Sequence, residues 1–231
     1  ACGVPIAKMS GRGLGFTGGT VDKMESIPGF RTSLEPEEFL NQVNIIGMAV
    51  IGQTAHITPE EKKIYALRDV TATVDNFGLI ASSIMSKKLA AGSDAIVLDV
   101  KVGDGAFMEN LEDAVTLADL MVDIGRNAGR RTVAAITEMG QPLGCAVGNA
   151  LEVIEAIETL KGHGPEDITV LAEKLAGIMI YLGGKAETPE QGHDMAEDAL
   201  RSGKGLAQFR RFVAAQGGNP AVVEDYSLFP Q

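Results

Sequence analysis

The 231-residue sequence has no tryptophan, only two cysteines and 5% aromatic residues. So few aromatic side chains argue against a surface that stacks nucleic-acid bases. Cys2 and Cys145 lie far apart in the sequence and match no metal-ligand spacing. Two cysteines are also too few for a disulfide framework. We predict two ordinary thiols in a reducing compartment.

Basic residues are fewer than acidic ones. The sequence has 20 Lys and Arg and 31 Asp and Glu, so the formal net charge is -11. This balance argues against a nucleic-acid surface. No apolar run approaches the roughly 20 residues that cross a bilayer, and the N-terminus lacks the segments of a signal peptide. We therefore expect a cytoplasmic protein that binds neither nucleic acid nor a membrane.

Glycine is abundant at 28 residues, and 45% of the chain is hydrophobic, which is enough to bury a substantial core. Apolar strand patterns alternate with helical ones, which predicts an α/β fold with a mostly parallel sheet flanked by helices and part of a small helical lobe. The predicted strands are 4–9, 45–51, 95–102 and 132–137. The predicted helices are 20–25, 37–44, 58–68, 79–91, 111–128, 149–160, 165–182, 189–202 and 206–216. We expect residues 1–57 and 92–231 to form two parts of an α/β lobe, and residues 58–91 to belong to the helical lobe.

A glycine-rich loop, KMSGRGLGFTGGT, follows the first predicted strand and contains five glycines, three hydroxyl side chains and two cations. Glycine lets a ligand approach the backbone amides closely. Lys8 and Arg12 supply positive charge, and the predicted helix that follows begins with Thr20 as its N-cap. The loop therefore predicts an anion site, and phosphate is the natural ligand.

The same loop contains GxGxxG, so a dinucleotide fingerprint is the alternative interpretation. That motif needs an acidic residue about twenty positions later, at the end of a second strand. Glu35 and Glu37 instead lie in a polar segment that contains Pro36. The phosphate-loop pattern GxxxxGK(S/T) is absent.

A second group of donors consists of Arg68, Ser83 and Lys87. Arg68 is the last residue of the predicted helix 58–68. Ser83 and Lys87 are four residues apart and so share one face of the next helix. A guanidinium, a hydroxyl and an ammonium together can satisfy the carbonyl and imide edge of a flat heterocycle. The alternative is a solvated surface helix, since Lys88 is adjacent and Asp69 is a candidate partner for Arg68.

Four segments, KMSGRGLGFTGGTVDKMESIPGF, YALRDVTATVD, ASSIMSKKLAAGSDAIVLDVKVGDGAFM and QPLGCAVGNALEVIEAIETLKG, resemble the pyrimidine-nucleoside phosphorylases and thymidine phosphorylases. The resemblance covers nearly the whole chain. It implies a pentosyltransferase, in which inorganic phosphate attacks the anomeric carbon of uridine, thymidine or deoxyuridine and releases the base and a pentose 1-phosphate. It also implies a homodimer, no organic cofactor, and phosphate as co-substrate.

The resemblance assigns roles to particular residues. It implies that phosphate is bound by Lys8, Ser10 and Thr20. It implies that the pyrimidine is held by Arg68, Ser83, Lys87 and Phe107, with Arg68 and Lys87 as the catalytic residues. It further implies a potassium ion bound by Leu143, Ala146 and Glu155.

The sequence departs from the family pattern in its extent and at two single positions. A loop of the form KHSTGG, expected before the first strand, is missing, and the C-terminal part also looks shortened, so we expect a truncated fragment with little or no activity. Phe16 stands where the family usually has histidine, and Asp104 where a small residue is common. An anthranilate-phosphoribosyltransferase-like enzyme and a non-catalytic remnant are the alternatives.

Overall fold

The computed structural model describes residues 1–13, 18–52, 71 and 76–230. Within them the chain forms two compact units, residues 1–53 with 144–231, and residues 54–143. Each unit contains a pair of parallel strands and flanking helices. The predicted α/β class with parallel strands covered by helices is therefore confirmed.

The first unit begins with strand β1, Ile6–Met9, which pairs in parallel with β2, Met48–Ile51. Helices α1, Thr20–Glu25, and α2, Pro36–Ile46, connect the two strands. The rest of the unit is helical: α5 is Asn149–Leu160, α6 is Glu166–Leu182, α7 is Pro189–Arg201 and α8 is Lys204–Ala215. Two 3₁₀ helices follow, Pro220–Val223 and Tyr226–Leu228.

The core of the first unit joins α5 and α8 to β2 and the C-terminal segment. Its buried members are Ile27, Phe30, Val50, Val153, Ile157, Phe212, Val213, Val222, Val223 and Phe229. Gln216 is also fully buried, and its side-chain amide pairs with β2 as an extra strand would. It donates to the Val50 carbonyl and accepts from the Val50 amide, each at 2.9 Å.

The second unit contains helix α3, Phe77–Ala90, strand β3, Ala95–Val102, helix α4, Leu111–Asn127, and strand β4, Arg131–Glu138. Strands β3 and β4 are parallel over all eight positions. Ile96, Leu98 and Val100 alternate along β3 toward a core shared with α3 and α4. This alternation is that of a strand with one buried face.

One predicted strand, residues 45–51, is wrong over its first half. Helix α2 continues to Ile46, and Gly47 ends it in a left-handed conformation, φ 81°. Strand β2 begins only at Met48. A short apolar run does not distinguish a helix end from a buried strand, whereas a glycine at this position favours a helix end.

The other predicted elements within the described residues are present, with ends that differ by no more than two residues. The predicted helix 58–68 lies outside the described residues. The predicted division into an α/β lobe and a helical lobe stays a prediction. The two compact units have bounds other than those of the predicted lobes.

Candidate active site

The candidate phosphate site begins where β1 ends. Ser10 continues the parallel pairing, because its amide donates to the Ile51 carbonyl at 2.8 Å. Lys8 precedes it on the strand, and its side chain is exposed to solvent. The strand therefore fixes the backbone from which Lys8 and Ser10 extend.

The pKa of Lys8 is lowered from its ordinary value, chiefly because surrounding protein atoms desolvate the ammonium group and secondarily because Lys23 repels it. The accessible surface nevertheless leaves the side chain reachable from solvent. Crowding by protein atoms does not close a surface that solvent touches, so a ligand can reach this side chain. An anion that bound here would favour the charged form of Lys8 and so oppose both effects on its pKa.

Arg12, expected as the second cation of the loop, is already paired. Its guanidinium donates to both oxygens of Glu25, at 2.6 and 2.8 Å, and to Asp22 at 2.8 Å. The hydrogen bond to Glu25 is the largest cause that raises the pKa of Arg12. Two carboxylates thus neutralise the charge that the sequence assigned to anion binding.

Asp22 also holds the loop backbone. Its Oδ2 accepts from the Gly13 amide at 2.7 Å, and this bond is the main reason why the pKa of Asp22 is lowered. The Val21 amide donates to the Gly11 carbonyl at 3.3 Å. The start of α1 and the residues after Ser10 are therefore joined directly.

The predicted N-cap, Thr20, is instead the first helical residue of α1, and Gly19 occupies the N-cap position without a side-chain cap. A Cβ atom at Gly19 would lie 2.5 Å from Arg12 Cα and closer still to the backbone of Arg12 and Gly13. Only glycine fits at this contact, which explains why a capping side chain is absent. The role of Thr20 in phosphate binding stays a prediction.

The predicted base site lies in the second unit, on α3. Ser83 is buried, and Lys87 Nζ donates to its hydroxyl oxygen at 3.3 Å. The structure therefore brings together two of the three predicted donors, one helical turn apart. Arg68 lies outside the described residues.

Two further residues of the second unit were singled out by the sequence. Phe107 is 51% exposed, which leaves a large part of its ring open to a ligand. Asp104 is exposed in the turn after β3. Phe16, the other departure from the family pattern, lies outside the described residues.

The predicted cation loop is held by Glu155. Its Oε1 accepts from the amides of Cys145, at 2.8 Å, and Ala146, at 3.0 Å. A Cβ atom at Gly144 would collide with Glu155 Oε2. Glu155 therefore binds the amides of this loop, and the roles of Leu143, Ala146 and Glu155 as potassium ligands stay predictions.

Known proteins resemble the chain over nearly its whole length. Residues 1–206 match the protein family described as glycosyl transferase family, a/b domain. The chain belongs to this family. It is 59% identical over 229 residues to the pyrimidine-nucleoside phosphorylase of Geobacillus stearothermophilus, a match that covers 99% of the chain and 53% of the relative.

A second relative has the same name. The pyrimidine-nucleoside phosphorylase of Bacillus subtilis strain 168 is 56% identical over 231 residues, which cover all of the chain and 53% of that protein. The chain thus spans about half the length of the curated relatives it matches. The predicted resemblance to pyrimidine-nucleoside phosphorylases is confirmed.

A solved structure supports the fold. The anthranilate phosphoribosyltransferase of Thermus thermophilus superposes with a TM-score of 0.70 at 20% identity, over 93% of this chain and 69% of that one. At this identity the likeness shows a shared fold and does not assign a reaction.

Sequence reasoning missed the acidic partners of the loop cations. Asp22 and Glu25 lie three apart on α1, so both reach Arg12 from one helical face. It also missed the ion pair between Lys23 on α1 and Glu152 on α5. The acid spacing on α1 was a signal that could have identified the first pair, whereas the second joins residues far apart in the chain.

Cys2 and Cys145 are free thiols. Within the ranges that the structure describes, no group of three or more His, Cys, Asp or Glu side chains is arranged to hold a metal ion. No helix built from those same residues is both long and apolar enough to cross a membrane.

Proposed function

We propose that the chain forms part of a pyrimidine-nucleoside phosphorylase, a pentosyltransferase that reversibly cleaves uridine, thymidine or deoxyuridine to the free base and a (deoxy)ribose 1-phosphate. The observation that carries the proposal is the identity of 55% to 59% to relatives of that name over nearly the whole chain. It is supported by a lysine at the end of β1 and by a serine–lysine pair on α3.

In this proposal Lys8, Ser10 and Thr20 bind inorganic phosphate. With Arg12 paired to two carboxylates, Lys8 supplies positive charge at the start of the loop. The Lys8 side chain is exposed to solvent, so an anion can reach it. Phosphate is a co-substrate here, and no organic cofactor is needed.

Arg68, Ser83 and Lys87 bind the pyrimidine, and Phe107 packs near its ring. A phosphate oxygen forms a bond to the anomeric carbon while the bond from that carbon to the base nitrogen breaks. The bonding electrons pass to the base, so cationic donors at its edge stabilise charge that develops in the transition state. The loss of one such donor typically raises the barrier by about 3 kcal/mol.

The proposal extends to a cytoplasmic homodimer and to a potassium ion bound by Leu143, Ala146 and Glu155. Because the chain spans 53% of its relatives, we expect weak or no turnover from it alone, and ligand binding is the better measurement. The alternative of an anthranilate-phosphoribosyltransferase-like reaction is supported by the fold alone.

Calorimetric titration of uridine into the wild-type chain, Lys87→Gln and Lys88→Gln, with inorganic phosphate present, tests the base site. Lys88 is the matched control, since it lies on the same helix one position along and has no assigned role. We expect Lys87→Gln to lose uridine binding and Lys88→Gln to retain it. Absence of binding to the wild-type chain, or equal effects of the two variants, would contradict the proposal.

A further inference from the structure

Lys23 and Glu152 form an ion pair that no predicted role accounts for. Lys23 lies on α1 and Glu152 on α5, and the two helices pack against each other. Their side chains are 30% and 31% exposed, so the pair is partly shielded but still reachable from solvent.

The pair lies beside the end of the glycine-rich loop. A Cβ atom built at Gly18 would be 3.1 Å from Lys23 Cε, 3.5 Å from Lys23 Nζ and 3.8 Å from Glu152 Oε1. The absent side chain of Gly18 therefore leaves the space that the two charged groups border. A larger residue there would crowd the ammonium group of Lys23.

Helix α1 is joined to the residues after Ser10 by the hydrogen bond from the Val21 amide to the Gly11 carbonyl, and the charge of Lys23 is near enough to lower the pKa of Lys8. Two ammonium groups that repel each other at the edge of one loop form a favourable environment for an anion. In the structure Glu152 Oε2 pairs with Lys23, while its Oε1 accepts from the Gly148 amide at 3.4 Å.

The charges around the loop are therefore largely satisfied by protein groups. Arg12 is held by Asp22 and Glu25, and Lys23 by Glu152. The Arg12 guanidinium donates a bidentate pair of hydrogen bonds to Glu25 and a third hydrogen bond to Asp22. Among the residues that the structure describes, Lys23 pairs with one carboxylate, that of Glu152 on α5, so an incoming anion could recruit it more easily.

We propose that Lys23 is a further phosphate-binding residue, and that the Glu152 carboxylate occupies its ammonium group until phosphate displaces it. The inference rests on the proposed function, since it adds a residue to the phosphate site of that function. Glu152 then weakens phosphate binding in the wild-type chain by competing for Lys23.

A purely structural ion pair makes a different prediction. If Lys23 and Glu152 only tie α1 to α5, removal of either charge loosens the same contact, and both variants affect phosphate in the same direction or not at all. If they compete with phosphate, the two variants have opposite effects. The sign of the change therefore separates the two roles.

The experiment is calorimetric titration of inorganic phosphate into the full 231-residue chain and its Lys8→Gln, Lys23→Gln and Glu152→Gln variants. We expect Lys23→Gln to weaken binding about tenfold, the size of one charge-assisted hydrogen bond, and Glu152→Gln to tighten it about threefold. Lys161→Gln is the matched control, because Lys161 forms an ion pair with Glu158 in the same unit, at 3.0 Å. It should leave phosphate affinity unchanged.

The outcomes separate this inference from the proposed function. If Lys8→Gln abolishes binding while Lys23→Gln and Glu152→Gln match the wild type, or if both of the latter weaken it, the inference is overturned and the phosphate site stands. If the wild-type chain binds no phosphate, both are overturned. A tighter Glu152→Gln variant cannot result from poor folding, and circular dichroism checks the fold of Lys23→Gln.

Discussion

Replacement of Gly19 by alanine tests how the glycine-rich loop is built. The backbone of Gly19 has φ -100° and ψ 144°, which alanine adopts without strain. The added Cβ atom, however, would lie 2.5 Å from Arg12 Cα, far inside van der Waals contact. The effect of the substitution is therefore steric, and the residues around Arg12 must move.

That movement has a cost that can be estimated. The segment is held by the hydrogen bond from the Gly13 amide to Asp22, at 2.7 Å, and by the ion pairs of Arg12. Overpacking of a close contact typically costs about 1 to 3 kcal/mol. We expect Gly19→Ala to lower the free energy of unfolding by that amount and to weaken phosphate binding, because the spacing of Ser10 and Thr20 changes.

Gly11→Ala is the matched control in the same loop. Among the described residues, no atom lies within 4 Å of a Cβ atom built at Gly11. Urea unfolding followed by circular dichroism measures the global cost, and hydrogen exchange of the Gly13 amide measures the local one. If Gly19→Ala and Gly11→Ala agree in stability, amide protection and phosphate affinity, the packing argument is wrong.

Three further predictions concern buried and titrating groups. Gln216→Leu leaves the amide and carbonyl of Val50 without their side-chain partner, at about 1 to 3 kcal/mol for each buried group, so urea unfolding should show a loss of at least about 2 kcal/mol. A hydrogen bond from Tyr226 is the main cause that lowers the pKa of Glu158 from 4.5 to about 2. The ionised carboxylate therefore stabilises the fold at pH values above its ordinary pKa, and this contribution disappears as the pH falls toward 2. Unfolding measured at pH 7 and near pH 2 should therefore show that the stability lost in Tyr226→Phe shrinks in acid, and an equal loss at both would refute this. Because the pKa of Lys8 is lowered, phosphate affinity should fall as rising pH deprotonates this ammonium group, and titrations of Lys8→Arg should show that fall at a higher pH.

Local patterns predicted much of the fold. Strand β3 has the predicted bounds because its eight residues are mostly β-branched or apolar and Gly103 follows the last of them. Helix α5 also has the predicted bounds. The apolar run around Gly47 was assigned wrongly, since hydrophobicity alone does not give the backbone conformation of a single glycine.

Less of the candidate site than of the fold could be predicted from the sequence. Lys8 and Ser10 follow from a strand that runs into a glycine-rich loop, and the contact between Ser83 and Lys87 follows from helical spacing. The pairing of Arg12 depends on how the loop closes onto α1, which a linear pattern does not contain. The same holds for Gln216, whose partner in β2 is 166 residues away.

A crystal structure of the 231-residue chain with inorganic phosphate and uracil tests the central claim most directly. We predict a phosphate ion in hydrogen-bond contact with Lys8 Nζ and the Ser10 hydroxyl, and uracil in contact with Ser83 and Lys87. A phosphate ion bound elsewhere while Lys8 contacts only solvent, or uracil bound away from α3, would contradict the assignment of both sites.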